Sequence, residues 1–127
     1  MLRIIVVDDD TNTTSLIRII LEMDGYSVAT FSNVRTALAE ADSGVSAFII
    51  DCYLDSETSG IDMLRLLRTH ESGTLRETPV IMVSGDQRVE QEVTEAGADL
   101  FILKSYSPNE LSRVVKELID ARQTQAH

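Results

Sequence analysis

The residues best suited to chemistry in this sequence stand directly after apolar segments of four residues. They are two adjacent acids, a third acid, a serine and a lysine: Asp8, Asp9, Asp51, Ser84 and Lys104. An uncompensated carboxylate beside a buried segment is costly to desolvate, so packing alone does not explain the acids. Asp51 is the most informative, because residues 47–50 before it are typical of a strand buried on both faces.

Three carboxylates that converge repel one another at neutral pH, so a positive charge must offset them. One candidate is Mg²⁺ or Mn²⁺, which prefer carboxylate, carbonyl and water ligands. The other is Lys104, one of two lysines in the chain, which can act as a point charge for a phosphoryl group. Ser84 adds a hydroxyl, and Gly85 leaves room for a ligand near the backbone.

Together these groups indicate phosphoryl transfer to a carboxylate. In such a site a cation and a lysine offset the developing charge, while hydroxyl and amide groups orient the transferred group. A carboxylate nucleophile forms an aspartyl phosphate. Asp51 is the most central carboxylate and is therefore the predicted nucleophile.

Each residue also has a purely structural interpretation when it is taken alone. Asp51 could cap the loop that follows it, Ser84 could cap a helix, and Lys104 could be a solvated surface lysine. Residues 8–10 could be a charged helix start, which the helix dipole favours. For Asp10 this structural interpretation is preferred. For the others it weakens, because four strand ends carry these residue types together.

The elements that must position these residues alternate along the chain. The sequence predicts five strands and five helices, with strands at 3–7, 26–31, 47–50, 80–83 and 100–103. Such alternation favours an α/β fold, a single doubly wound domain whose parallel sheet is covered by helices on both faces. In the strand order 2-1-3-4-5, the four strands with functional ends are contiguous, and these ends meet at the switch point between strands one and three.

The helices follow from apolar stripes at helical spacing. The first ends at Gly25, the second spans residues 34–41, and the last begins at Pro108. Residues 53–60 and 70–78 are polar and are predicted to be loops.

Length and composition restrict the class of protein. The 127 residues suit one domain, predicted to cover residues 1–122, with a polar tail at 123–127 that frays. The formal net charge of −10 argues against a nucleic-acid surface, which needs a basic patch. The apolar runs are far shorter than the roughly 20 residues of a membrane span. Cys52 is the only cysteine and cannot form an internal disulfide, so a reducing cytoplasm fits best.

In order and context, these motifs resemble the receiver domain of two-component response regulators along nearly the whole chain. The matching residues are Ile-Val-Val-Asp-Asp at 5–9, Asp51, Val-Ser-Gly at 83–85, Ala-Gly-Ala-Asp at 96–99 and Lys104. The resemblance implies a flavodoxin-like fold and a phosphorylation switch. Asp51 would accept a phosphoryl group from the phosphohistidine of a histidine kinase, or from a small donor such as acetyl phosphate.

The resemblance also implies a set of metal ligands. Asp9, the Asp51 carboxylate and the backbone carbonyl of Tyr53 would hold Mg²⁺. Asp8 would assist through a water molecule.

Further roles are implied for the residues that follow the fourth and fifth strands. Ser84 and Lys104 would bind the phosphoryl oxygens. Ser84 would then shift toward this group, Phe101 would fill the vacated space, and the surface of helix four, strand five and helix five would change. Tyr53 and Asp86 occupy positions that tune dephosphorylation in the family. Such a domain catalyses only its own phosphoryl transfer and slow autodephosphorylation.

The implied partners are a sensor histidine kinase or phosphotransfer protein and a downstream protein or output domain. The resemblance implies no direct nucleic-acid or membrane binding by this domain, and it leaves homodimerisation open. A stand-alone regulator and a part of a larger regulator or hybrid kinase are both compatible with the sequence.

The sequence departs from the family pattern in two loops. Asp55 stands where the family usually has proline, and Gly60 lies nine rather than eight residues beyond Asp51. In the family, this lysine is usually followed by a proline in a cis peptide. Here Ser105 follows Lys104. A cis bond before serine costs several kcal/mol, which favours a trans peptide here.

Two other functions are compatible with parts of the pattern. A phosphatase of the haloacid dehalogenase type would use Asp8 as nucleophile and Asp10 as acid–base partner, but a further acidic metal motif after Lys104 is missing from the sequence. An interaction module on the same fold would need no phosphorylation, and the altered loops permit it.

Overall fold

The computed structural model of the chain describes residues 2–54 and 58–125, and the side chains of 2–54 and 58–123. Asp55 therefore lies outside the described residues. The strands are β1 (Arg3–Val7), β2 (Ser27–Phe31), β3 (Val45–Asp51), β4 (Val80–Ser84) and β5 (Leu100–Leu103). The helices are α1 (Thr11–Met23), α2 (Val34–Glu40), α3 (Gly60–Arg68), α4 (Gly73–Arg76), α5 (Glu90–Glu95) and α6 (Pro108–Gln125). A 3-10 turn (Gln87–Val89) leads directly into α5.

The five strands form one parallel sheet in the order β2-β1-β3-β4-β5, which confirms the predicted fold class. Because the strands are parallel, their carboxyl ends lie at one edge of the sheet, here called the carboxyl edge. The opposite edge is called the amino edge. The register places Asp51 beside Val83 and Ser84 beside Leu103. Residues that follow these positions meet at the switch point between β1 and β3.

The sheet separates two apolar layers. Phe48 and Ile50 face the layer that contains α2, α3 and α5. Ala47 and Ile49 face the layer that contains α1 and α6. Residues 47–50 of β3 form an apolar run, as expected for a strand that is covered on both faces. Burial of each large side chain of this kind contributes about 1.5–3 kcal/mol to folding.

Side-chain caps fix the helices that begin at the carboxyl edge. The Asp10 carboxylate accepts the backbone N–H of Asn12 at 3.0 Å and begins α1. Ser59 and Asp62 form a capping box at the start of α3. Each cap satisfies N–H groups that have no partner within the helix and is worth about 1 kcal/mol. Asp10 thus lies at the start of a helix, as the sequence predicts, and it acts there as the N-cap.

α4 lies in the 70–78 segment, which the sequence analysis predicted to be a loop. That prediction is wrong for one helical turn: Ser72 accepts the N–H of Leu75 as its cap, and Leu75 is buried. A four-residue helix is shorter than the window over which apolar periodicity can be recognised.

α6 continues to Gln125, and the fraying of the tail at 123–127 stays a prediction. Just before this tail, the guanidinium of Arg122 donates to the carbonyl of Glu77 at 2.7 Å and to the carboxylate of Asp99 at 2.9 Å. These tertiary contacts hold the end of the helix. Among the described residues, the helices lack the combination of length and apolar character that a membrane span requires.

Candidate functional site

Three carboxylates gather at the carboxyl edge. Asp8 and Asp51 are each 4% exposed, and Asp9 is exposed. One ligand oxygen of each acid lies within 4.8 Å of those of the other two. The convergence that strand order predicts is therefore observed.

Lys104 joins this cluster from the end of β5. Its Nζ donates to Oδ2 of Asp51 at 2.8 Å and lies 3.6 Å from Oδ2 of Asp8. Burial lowers the pKa of Lys104, but the hydrogen bond to Asp51 and the nearby negative charges outweigh burial and raise the pKa above its ordinary value. The ammonium group thus remains charged at neutral pH and connects β5 to β3.

The surroundings of Asp8 disfavour the charged form of its carboxyl group. Burial raises the pKa of its carboxyl group, and the charge of Asp51 raises it further. The backbone N–H of Asp10, which donates to Asp8 at 2.9 Å, and the charge of Lys104 lower it, but the net pKa lies above the ordinary value. A cluster with excess negative charge is suited to a further cation.

The oxygen donors fit the cation predicted from the sequence. Asp8, Asp9 and Asp51 present hard carboxylate ligands within one small volume. Mg²⁺ takes one or two protein carboxylates and retains several waters, so this set is sufficient to hold it.

Neighbouring backbone groups fix Asp51. The N–H of Tyr53 donates to Oδ1 of Asp51 at 3.1 Å, and the N–H of Cys52 donates to the carbonyl of Val83 at 2.9 Å. Gly60 packs directly against the Asp51 peptide, since a Cβ at that position would clash with the Asp51 carbonyl oxygen. Although Gly60 lies one residue farther from Asp51 than in the family pattern, a glycine still stands at the position that packs against the Asp51 peptide.

Ser84 is fully buried at the end of β4. Its Oγ accepts the N–H of Asp86 at 3.0 Å, and its carbonyl accepts the N–H of Lys104 at 3.0 Å. Phe101 lies on β5 beside Met82, half-buried against the layer that contains α5. The two residues predicted to act as a switch thus lie on adjacent strands.

The sequence also led to predictions for two peptide groups near the site, the backbone of Tyr53 and the peptide between Lys104 and Ser105. Tyr53 contacts Asp51 through its backbone N–H, while its side chain is exposed. The described residues contain no cis peptide, so Lys104 and Ser105 are joined in the trans form.

Arg88 was missed by the sequence analysis. Its Nε and Nη2 donate to the two carboxylate oxygens of Asp86, each at 3.0 Å, and these bonds lower the pKa of the Asp86 carboxyl. Asp86 is the N-cap of the 3-10 turn that contains Arg88, so the contact between the two side chains depends on the conformation of this turn. The strand and helix patterns around them contained no signal for such a turn.

The chain matches the family model of the response regulator receiver domain over residues 4–116. It therefore belongs to the response regulator receiver domain family, a group of two-component signalling domains rather than classical enzymes. Mg²⁺ is the cation normally associated with this family, in agreement with the oxygen ligands at the carboxyl edge.

Two curated relatives illustrate the similarity. The transcriptional regulatory protein CpxR of Klebsiella pneumoniae is 33% identical over 122 residues, which cover 94% of this chain and 50% of CpxR. The transcriptional regulatory protein SrrA of Staphylococcus aureus is 32% identical over 126 residues, covering 97% of this chain and 49% of SrrA. The chain thus spans about half the length of these relatives.

A solved structure supports the same assignment over the whole fold. The CheY-like response regulator receiver domain protein from Methanospirillum hungatei superimposes with a TM-score of 0.86. It is 29% identical to this chain, and the match covers 98% of each protein.

Proposed function

We propose that the chain is a phosphorylation switch in which Asp51 is the phosphoacceptor. The observation that carries the proposal is the 2.8 Å contact between Lys104 Nζ and Asp51 Oδ2 inside a cluster with excess acid. A lysine that served only to stabilise the fold would need one carboxylate partner. The additional acids Asp8 and Asp9 favour a site built for a cation and an anion together.

In the proposed reaction an oxygen of Asp51 forms a bond to phosphorus while the bond between phosphorus and the donor breaks. The product is an acyl phosphate, and the donor leaves as acetate or as a histidine imidazole that takes up a proton. Lys104 would turn from the Asp51 carboxylate to the phosphoryl oxygens. Mg²⁺ held by Asp9, Asp51 and the Tyr53 carbonyl, with Asp8 acting through water, would supply positive charge for these oxygens.

The switch would operate through the end of β4. The Ser84 hydroxyl would turn toward the phosphoryl group and release the N–H of Asp86, and Phe101 would move into the vacated space. Phe101, Leu103 and Tyr106 line an open groove of about 360 Å³ beside the start of α5 and α6. This groove belongs to the α5-β5-α6 surface, which is the helix four, strand five and helix five surface predicted from the sequence. We assign partner binding to it.

The phosphodonor must bring its phosphohistidine to the carboxyl edge, where α1 begins. α1 exposes Leu16, Ile19 and Met23, whose spacing of three and four residues places them on one face. A ridge of this kind fits a helical partner. We therefore assign the ridge to the histidine kinase or phosphotransfer protein. The downstream partner is a protein or an output domain, and the buried thiol of Cys52 fits a reducing cytoplasm.

The decisive experiment is intact mass after incubation with acetyl phosphate and Mg²⁺. The wild type is expected to gain one phosphoryl group, and Asp51→Asn or omission of Mg²⁺ should abolish the gain. Asp42→Asn is a matched control, because Asp42 is an exposed acid that pairs with Arg3 at the start of β1, on the opposite edge of the sheet. Control and wild type should react equally.

Two outcomes would contradict the proposal. No adduct with acetyl phosphate or with a kinase as donor would favour an interaction module that works without phosphorylation. Sustained hydrolysis of a phosphate ester that is lost in Asp8→Asn would favour a phosphatase. Family membership argues against the second outcome.

A further inference from the structure

We propose that Arg88 attracts anionic phosphodonors to the open side of the Asp51 site. The inference rests on the proposed function, because it concerns how a donor reaches the same carboxylate.

Arg88 lies at the carboxyl edge. It is in the 3-10 turn that follows β4, and this turn is anchored at its start by the N–H of Asp86, which donates to Ser84 Oγ at 3.0 Å. Asp51 pairs with Val83, the residue before Ser84, on the adjacent strand. The turn that carries Arg88 therefore begins beside the strand end that carries Asp51.

The sequence of these loops explains why a cation is useful there. Among the described residues, 8–10, 51–54, 58–59, 85–89 and 104–107 follow or end the four strands that form the site, and they contain more acids than bases. The acids are Asp8, Asp9, Asp10, Asp51 and Asp86, and the bases are Arg88 and Lys104. A phosphodonor is itself an anion, so it is repelled as it approaches. Lys104 already contacts Asp51 and Asp8 within the site.

Arg88 is both held in place and accessible. Asp86 accepts from its backbone N–H at 2.9 Å and from its guanidinium Nε and Nη2. The Arg88 side chain is nevertheless 89% exposed, so the guanidinium faces solvent while Asp86 restrains it. A positive group beside an acidic site raises the local concentration of anions, and salt screens this effect.

The test compares initial phosphorylation rates of wild type and Arg88→Gln with acetyl phosphate and Mg²⁺, followed by intact mass. At an ionic strength of about 0.01 M, where the Debye length is about 30 Å, the variant should react up to about tenfold more slowly, which is the lower end of the known range of electrostatic steering. At about 1 M, where that length is about 3 Å, the two rates should converge. A structural role would not produce this salt dependence.

Arg113→Gln is the matched control. It removes the same charge from an exposed arginine that pairs with Glu117 and lies beside Asp24, at the far end of α1. Its rate should equal that of wild type at both ionic strengths.

The possible failures are distinguishable. If wild type reacts and Arg88→Gln reacts equally fast at low salt, the role of Arg88 is refuted while the proposed function stands. A variant that is equally slow at both ionic strengths would also refute attraction of the donor. If wild type takes up no phosphoryl group from acetyl phosphate or from a kinase, the proposed function fails as well.

Discussion

The two edges of the sheet hold charge clusters of opposite composition. At the carboxyl edge, one lysine faces the three carboxylates of Asp8, Asp9 and Asp51. At the amino edge, two arginines share one carboxylate: Asp99 accepts from Arg68 at 2.8 Å and from Arg122 at 2.9 Å. Both clusters are partly buried, but in the second the guanidinium groups also donate to backbone carbonyls, so most of their N–H groups have acceptors within the chain.

Arg68 shows how complete the matching is at the amino edge. Its Nε donates to the carbonyl of Gly97 at 2.8 Å, and its Nη1 donates to the carbonyl of Thr78 at 2.7 Å. Asp99 in turn accepts the N–H of Val80 at 2.8 Å, which fixes the start of β4. Burial lowers the pKa of Arg68, but the charge of Asp99 opposes this effect.

The difference separates structure from function. The amino-edge cluster stabilises the fold because nearly every donor has an acceptor within the chain. The carboxyl-edge cluster retains excess negative charge, because one ammonium group faces three carboxylates. Charge that the chain does not compensate is available for a ligand, and it lowers the stability of the chain without that ligand. Equivalent substitutions at the two edges should therefore change stability in opposite directions.

The largest effect is expected for Asp99→Asn. Loss of this carboxylate leaves Arg68 and Arg122 without a counter-charge, and we expect the free energy of unfolding to fall by about 3 kcal/mol. Urea denaturation would measure the change. Asp42→Asn is the control, because Asp42 is exposed and its pair with Arg3 is 3.7 Å long; a loss below about 1 kcal/mol is expected there. Equal losses of unfolding free energy in both variants would show that the amino-edge network does not contribute strongly to the stability of the fold.

The next largest effect tests how tightly Gly60 packs against the Asp51 peptide. In Gly60→Ala the new methyl group meets the Asp51 carbonyl and the Ile50 side chain, so a loss of about 2 kcal/mol is expected. Gly85→Ala adds the same methyl group where no atom lies within 4 Å and should be nearly neutral. Thermal unfolding of both variants makes the comparison. If Gly60→Ala leaves the stability unchanged, the chain that packs against the Asp51 peptide can shift at little energetic cost.

The smallest effect has the opposite sign. Asp8→Asn removes a charge that Asp51 repels but keeps an oxygen that can accept the N–H of Asp10. Without Mg²⁺ we expect the variant to be more stable than wild type by about 1 kcal/mol. Mg²⁺ at ten times its dissociation constant should stabilise wild type by about 1.4 kcal/mol and the variant by less. Destabilisation of Asp8→Asn in the absence of metal would contradict the excess charge inferred for this edge.

Much of the fold and the arrangement of the candidate site could be predicted from the sequence. The apolar run before Asp51 and the alternation of strands with helices determine a parallel sheet, because only burial on both faces accommodates such strands. Strand order then brings Asp8, Asp51 and Lys104 together without knowledge of any contact. The roles of these residues in phosphoryl transfer stay predictions until Asp51 is tested directly.

Other features depended on contacts between residues that are distant in sequence. Leu75 is buried in the core, and its burial stabilises a helical turn in an otherwise polar segment. Arg122 connects the end of α6 to Glu77 and Asp99 by hydrogen bonds. The conformation of the turn that pairs Arg88 with Asp86 is likewise unspecified by local patterns.

Which residue types stand at the strand ends can be predicted from local patterns, since strand periodicity is a local property of the chain. Which charges are compensated depends on the folded arrangement. The energy of a charge depends on every donor and acceptor that folding brings near it, and those neighbours come from all parts of the sequence.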